Sequence, residues 1–279
     1  NWRGTKWYIE GDISKCFERV NHEKLLSILS RNLHDNRLLR LINNLLKAGY
    51  LEDWKYNKTL SGVPQGSICG PIFSNIYLNE LDQFVESKLL PTYNQGNRRR
   101  NFLPYHNLIA TAQRRKIAGK QKEAKLLRKQ AQQMPSSDPQ DPTFRRLRYV
   151  RYADDWLLGL IGTREEAEVI KCQIAEFLFN ELELELSVEK TLITHAHTEA
   201  ARFLGYEVST LHENSQHSSK MHRRNINGQV GLRIPVDVIK NKCKKYMRGG
   251  KPAPLHGRLQ DSDYSIVAQY QAEYRGLVQ

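Results

Sequence analysis

Tyr149-Val150-Arg151-Tyr152-Ala153-Asp154-Asp155-Trp156-Leu157-Leu158 decides how the rest of the chain is read. Apolar residues flank two adjacent carboxylates, the pattern of a strand, a tight turn and a second strand with the acids at the tip. Carboxylates held side by side repel each other unless a cation lies between them, so divalent-metal binding is the chemistry such a tip supports. The dipeptide alone is weak, because Asp-Asp arises by chance about once in a chain of this size.

Two other segments supply the context. Tyr8-Ile9-Glu10-Gly11-Asp12-Ile13-Ser14-Lys15-Cys16-Phe17 reads as a short strand that ends at an acid and turns toward a helix near His22. Ser61-Gly62-Val63-Pro64-Gln65-Gly66-Ser67 reads as a glycine-rich loop opening a helix at Pro71. In order and spacing, these segments and Tyr152 to Asp155 resemble the palm motifs of reverse transcriptases, most closely the reverse transcriptase/maturase encoded by group II introns. The resemblance runs from about Trp7 to Leu277.

That resemblance implies a site. Asp12, Asp154 and Asp155 match the catalytic acids, and with the Ile13 carbonyl they would hold two Mg2+ ions. Phe17 matches the aromatic gate that screens the sugar 2′ position. Ile13, Lys15, Cys16, Gln65, Gly66 and Lys190 fall at positions that meet the incoming nucleotide. Phe203, Leu204 and Gly205 match the hairpin that grips the primer end. In the two-metal scheme the ions lie about 3.5–4 Å apart, one activating the primer 3′-hydroxyl and one neutralising the leaving pyrophosphate. Each residue also has a plainer reading: Asp12 as a helix cap, Phe17 as a core aromatic, Gln65 as a loop hydrogen bonder and Lys190 as a solvated lysine.

The chain has 279 residues, 39% of them hydrophobic, enough for a buried core of one or two domains. Its formal charge of +13 is unevenly spread. Residues 91–151 hold 15 Lys/Arg against 3 Asp/Glu and residues 220–260 hold 11 against 1, leaving the remainder net acidic. Two basic blocks around an acidic body favour a nucleic-acid partner over a mixed solvated surface. Arg98, Arg99, Arg100, Arg114, Arg115, Lys116, Arg223 and Arg224 are the candidate RNA-binding cations, acting on phosphate. Tyr93, Phe102, Tyr105 and Phe144 could stack on unpaired bases, though core packing explains each singly.

Cys16, Cys69, Cys172 and Cys243 form no Cys-x-x-Cys pair, which argues against a zinc cluster and for buried thiols. His195 and His197 lack matching ligands and read as surface. No apolar run approaches the roughly 18 residues that span a bilayer, so no membrane partner is expected.

The periodicity predicts two helices over His22–Leu46, a helix over Pro71–Glu86, a lysine-rich helical segment over Gln113–Gln133, and a helix capped by Thr163 and Glu166. It also predicts strands near Leu184–Ser187 and Thr191–Thr194, a hairpin around Phe203–Ser209, and helices over Val236–Met247 and Ser262–Leu277. The fold class is α+β: a right-hand polymerase palm with an antiparallel sheet and packed helices on one face, a basic insertion, and a helical thumb or maturase segment. The expected divisions are 1–91 and 149–210 for the palm, 92–148 for the insertion and 211–279 for a linker and the start of the thumb.

Only 11 residues precede Asp12 and the chain opens at Asn1, so it reads as a fragment whose finger region, with its triphosphate-gripping cations, lies elsewhere. The implied partners are group II intron RNA, an RNA template with a DNA primer and deoxynucleoside triphosphates, with room for a homodimer. The implied setting is intracellular, in the bacterial cytoplasm, a mitochondrion or a chloroplast. Three rivals stay open: a splicing-only maturase, a retron-type reverse transcriptase, and a palm-fold nucleotide cyclase.

Overall fold

The structure, a computed structural model, describes residues 2–52, 55–57, 61–63, 68–213, 226–258 and 260–278. The chain enters through strand β1 (Trp7–Asp12), a short helix α1 (Cys16–Arg19), and helices α2 (His22–Ser30) and α3 (Asn36–Lys47). The break expected near Asn32 is real, and its cause is capping: Asp35 accepts the N–H groups of Arg37 and Leu38 to start α3. A small hairpin of β2 (Tyr50–Glu52) and β3 (Lys55–Asn57) leads to helix α4 (Gly70–Phe84). That helix does not stop at Glu86: a π-helical turn at Val85–Leu89 carries it into α5 (Leu90–Tyr93).

The basic segment is a helical pair, α6 (Leu103–Ile117) and α7 (Gln121–Gln132), and not the single helix expected over Gln113–Gln133. Gly119, at φ +78°, ends α6: its N–H donates to the Lys116 carbonyl and the Lys120 N–H donates to the Arg115 carbonyl. This is the left-handed glycine stop, the two bonds taking up carbonyls that the helix end leaves orphaned.

Strands β4 (Arg146–Tyr152) and β5 (Asp155–Ile161) then flank the acidic turn as expected. Helix α8 (Arg164–Leu182) opens on the expected capping box, Thr163 Oγ1 accepting the Glu166 N–H while the Glu166 carboxylate accepts the Thr163 N–H. After it come β6 (Leu192–His195), β7 (Ala201–Phe203), β8 (Tyr206–Thr210), β9 (Val230–Arg233), α9 (Val236–Lys244), β10 (Met247–Arg248), β11 (Lys251–Pro252) and α10 (Asp263–Val278). The strand expected at Leu184–Ser187 is reduced to one bridge, Ile13 to Leu186. Strand β9 was not expected. It pairs with β8, so the chain beyond the polar stretch after Leu211 returns to the β7–β8 hairpin before turning helical.

The main sheet has the order β4-β5-β1-β6 and every pair is antiparallel. Side chains alternate across it. Ile9, Ile13, Trp156, Leu158, Leu160 and Leu147 point to one face and join the core with α2, α4 and α8. Tyr8 and Leu157 point to the other, where Ala201, Val208 and Phe203 of the β7–β8 hairpin cover them. Gly11 lies opposite Trp156, and a Cβ on it would stand 2.2 Å from the indole, so only glycine lets that ring fill the core. Among the described residues no helix is long and apolar enough to cross a membrane. The cysteines are all free, but against expectation only Cys16 is fully buried, while Cys172 and Cys243 are exposed.

Candidate active site

Strand β1 ends at Asp12 and β5 begins at Asp155, and the antiparallel register sets these two residues directly opposite each other. Cβ atoms of such a pair lie about 4.5–5.5 Å apart, and like charges so placed are destabilising. Asp154 stands next to them in the two-residue turn that joins Tyr152 to Asp155. Ala153, the other turn residue, has φ +54°, the sign required at the first position of the tight hairpin turn that suits the strand twist. The fold therefore gathers Asp12 with the distant pair Asp154 and Asp155 at the end of two central strands.

Their electrostatics show the crowding. The Asp155 carboxyl is raised above its ordinary range, first by burial and then by the charges of Asp154 and Asp12, with Lys190 pulling the other way. Lys190 Nζ donates to Asp12 Oδ2 at 2.8 Å. Its side chain is 70% exposed, so this is a surface contact in competition with water rather than a buried pair. The sequence had only placed Lys190 near a triphosphate; in the fold it faces the acids.

Among the described residues no three His, Cys, Asp or Glu side chains close into a ready-made cage. The donor set nevertheless suits a hard divalent ion: carboxylate oxygens, mutual repulsion that a cation would relieve, and a shell left open for substrate oxygens and water. The peptide of Ile13 fits the same purpose. Ser14 donates its N–H to Glu185 and Asp12 accepts from Ser187, so the polar groups of both neighbours face the 185–187 segment. Backbone direction alternates along a strand, which turns the Ile13 carbonyl the other way, toward the β4–β5 turn.

Lys15 and the half-buried Phe17 follow on the α1 turn, Lys15 in the left-handed region at φ 49°. Phe17 lines a narrow crevice with Cys16, Ser74, Asn75, Ala153 and Asp154, which brings the candidate gate beside an acid. The Ser74 hydroxyl is buried there with no hydrogen-bond partner among the described residues. Burial, with Asp154 next in order, pushes the Cys16 thiol up to about 12, so it stays protonated and unreactive. Phe203, Leu204 and Gly205 form the β7–β8 turn, with Leu204 at φ 50° and Gly205 at φ 80°. The Leu204 side chain is thereby displayed at an exposed tip.

Of the basic candidates, Arg98, Arg114, Arg115 and Lys116 are exposed. Arg99 is not free for a ligand in the same way, since its guanidinium lies over Phe144, as does that of Arg146. Arg100 stands 3.8 Å from Asp141. Gln65, Gly66, Arg223 and Arg224 lie outside the described residues.

Sequence reasoning passed over two groups. Glu10 shares a face with Asp12 and accepts from Thr194 and from the Arg202 backbone, tying β7 to β1. Arg151, Asp82 and Asn75 form a partly buried network behind the turn, with Asn75 at its exposed end. For Glu10, a charged residue inside an otherwise apolar strand was the available signal, whereas Arg151 is one of three arginines on β4 and offered none.

A sequence profile described as "Reverse transcriptase (RNA-dependent DNA polymerase)" matches residues 1–208. Similar proteins include the group II intron-encoded protein LtrA of Lactococcus lactis subsp. cremoris, 36% identical over 98% of this chain and 48% of its own length. Another is the uncharacterized 91 kDa protein in cob intron of Schizosaccharomyces pombe, 34% identical over 88% of this chain and 30% of its own. The mitochondrial nuclear intron maturase 2 of Arabidopsis thaliana is 24% identical over 74% and 31%. The chain thus spans at most about half the length of these relatives. Among solved structures, apo telomerase from Candida Tropicalis truncated from its C-terminal domain aligns over 73% of this chain and 34% of its own with 14% identity and a TM-score of 0.41.

Proposed function

Because the chain belongs to the reverse transcriptase family and to its group II intron-encoded branch, we propose that it carries the polymerase site of an RNA-directed DNA polymerase that also binds intron RNA to assist splicing and retrohoming. The observation that carries this reading is the register that sets Asp12 opposite Asp155 with Asp154 in the adjoining turn. In this reading the four-stranded sheet is the palm, split as 1–91 and 149–210, residues 92–148 are a basic insertion, and residues 211–279 lead into the thumb.

Asp12, Asp154, Asp155 and the Ile13 carbonyl would hold two Mg2+ ions. When bound, these ions supply charge neutralisation at the attacking hydroxyl and the leaving pyrophosphate. The chain's own residues do the positioning. Phe17 walls the crevice beside Asp154 and screens the sugar of the incoming deoxynucleotide. Lys190, exposed and already drawn to the acids, releases Asp12 and turns to the triphosphate. Gln65 and Gly66 place main chain against the nucleotide. Leu204, raised at its turn, meets the primer end on the RNA template.

Primer extension by the full-length protein, compared with Asp154→Ala, tests this. Loss of synthesis in the variant is expected. Equal synthesis by both would end the polymerase reading and leave a protein that binds RNA for splicing alone.

A further inference from the structure

Behind the acidic turn lies an arginine that nothing in the motif reading uses. Arg151 sits on β4 opposite Trp156, so its side chain points into the helix-facing side of the sheet. It is buried to 9% exposure and still fully engaged. Its Nε and Nη2 donate to the two oxygens of Asp82, its Nη1 donates to Asn75 Oδ1 at 3.2 Å, and the same Nη1 donates to the Ala153 carbonyl at 2.7 Å. Tyr149 adds its hydroxyl to Asp82 at 2.8 Å.

The partners explain why the arrangement is rigid. Asp82 and Asn75 lie seven residues apart on α4, which is two helical turns and hence one stripe. The guanidinium is planar with donors in a fixed fork, so pairing with Asp82 on one side fixes where Nη1 points on the other. What it points at is the carbonyl of Ala153, a non-glycine residue in the left-handed region. Such a conformation costs on the order of 1–3 kcal/mol and persists only where the surroundings over-determine it. The next residue along is Asp154.

We propose that Arg151 is a positioning residue for the metal site, locking the strained Ala153 peptide to helix α4 through Asp82 and Asn75 and so fixing where Asp154 stands. The inference rests on the metal-site reading above. Lysine cannot take its place, because one ammonium cannot span a bidentate carboxylate and a carbonyl on opposite sides.

The test is Mn2+ binding to the full-length protein, read by electron paramagnetic resonance without substrate, beside thermal melting. Wild type, Asp154→Asn, Arg151→Lys and Asn75→Ala are compared. Groups that orient metal ligands typically change metal affinity about 10- to 100-fold. A weakening in that range is expected for Arg151→Lys, and a smaller one for Asn75→Ala, which leaves the Asp82 pair intact. A lower melting temperature with wild-type Mn2+ affinity in both variants would overturn the proposal and leave Arg151 a merely structural ion pair. If Arg151→Lys does not fold, Asn75→Ala decides alone. If wild type and Asp154→Asn bind Mn2+ equally, the metal-site reading fails first and the positioning role falls with it.

Discussion

The sheet that carries the acids and the helical pair that carries the cations hold their charges in opposite ways. Asp12 and Asp155 are fixed by strand register, and Asp154 by a turn backed by Asp82, Asn75 and Arg151. Arg114, Arg115 and Lys116 stand on the last turn of α6, exposed, while Ala112, Ala124 and Ala131 are the buried residues within α6 and α7. The acids are placed to a defined geometry, whereas the cations are displayed on an exposed surface, Arg115 in an exposed ion pair with Glu123. Metal coordination requires the first, since ligands must meet one ion at set distances. Phosphate neutralisation requires only the second, because it is sequence-independent and long in range. One site should therefore fail through small displacements and the other only through loss of charge.

The largest effect expected follows from the acid half. Asp12→Asn keeps size and hydrogen bonding but removes a ligand charge, worth several kcal/mol at the transition state. At about 1.4 kcal/mol per decade this is roughly a thousandfold loss of primer extension. Retention of RNA in a filter-binding assay should stay unchanged. If RNA binding fell in parallel, the two halves would not be separable. Gly11→Ala comes next. The new methyl meets the Trp156 ring head-on, and overpacking of this kind costs about 1–3 kcal/mol. Calorimetric melting should show it, with loss of synthesis out of proportion to the lost stability because Asp12 is the next residue.

Replacing Arg114, Arg115 and Lys116 together by alanine should act on binding alone. Each lost single-strand phosphate contact lowers the slope of log affinity against log salt by roughly 0.7, so the triple variant should lose about 2 in slope. The weakening should be about equal for all RNA sequences, because these contacts carry no sequence information, and titrations of several RNAs at several salt concentrations measure this. Unchanged slope would place the RNA elsewhere on the molecule.

The acid half was the more legible in sequence, and for a physical reason. Alternation of period two fixes which residues share a face, so Tyr8, Glu10 and Asp12 could be placed before their partners were known. What could not be read was the second layer behind the turn. Arg151 looks like one more cation of a basic block, and only the fold reveals that its guanidinium is buried against Asp82. Strand β9 was missed because it is four residues long and lies beyond a polar stretch, so its pairing with β8 is a long-range choice made by the sheet and not by local propensity. In the basic half, the run from Gln113 to Gln133 is rich in helix formers, which hid the break. Gly119 was the legible signal, since a glycine followed by a new helical run is how a left-handed stop is written.

That stop gives the smallest effect and the sharpest contrast. Gly11 and Gly119 are both needed as glycine, but for different reasons. At Gly11 the obstacle is another side chain, whereas at Gly119 a Cβ would meet nothing within 4 Å and the only obstacle is φ +78°. Gly119→Ala should therefore cost just the left-handed conformational penalty, about 1 kcal/mol, with no packing term. Because α6 and α7 meet mainly each other, the loss should appear locally, as faster amide hydrogen exchange in those two helices with the sheet unchanged. Gly119→Asn should recover part of it, since asparagine tolerates the left-handed region. An Ala variant that slowed or left exchange unaltered would mean that the helical pair does not depend on this turn, and a loss as large as that of Gly11→Ala would mean that it is packed into the molecule rather than displayed from it.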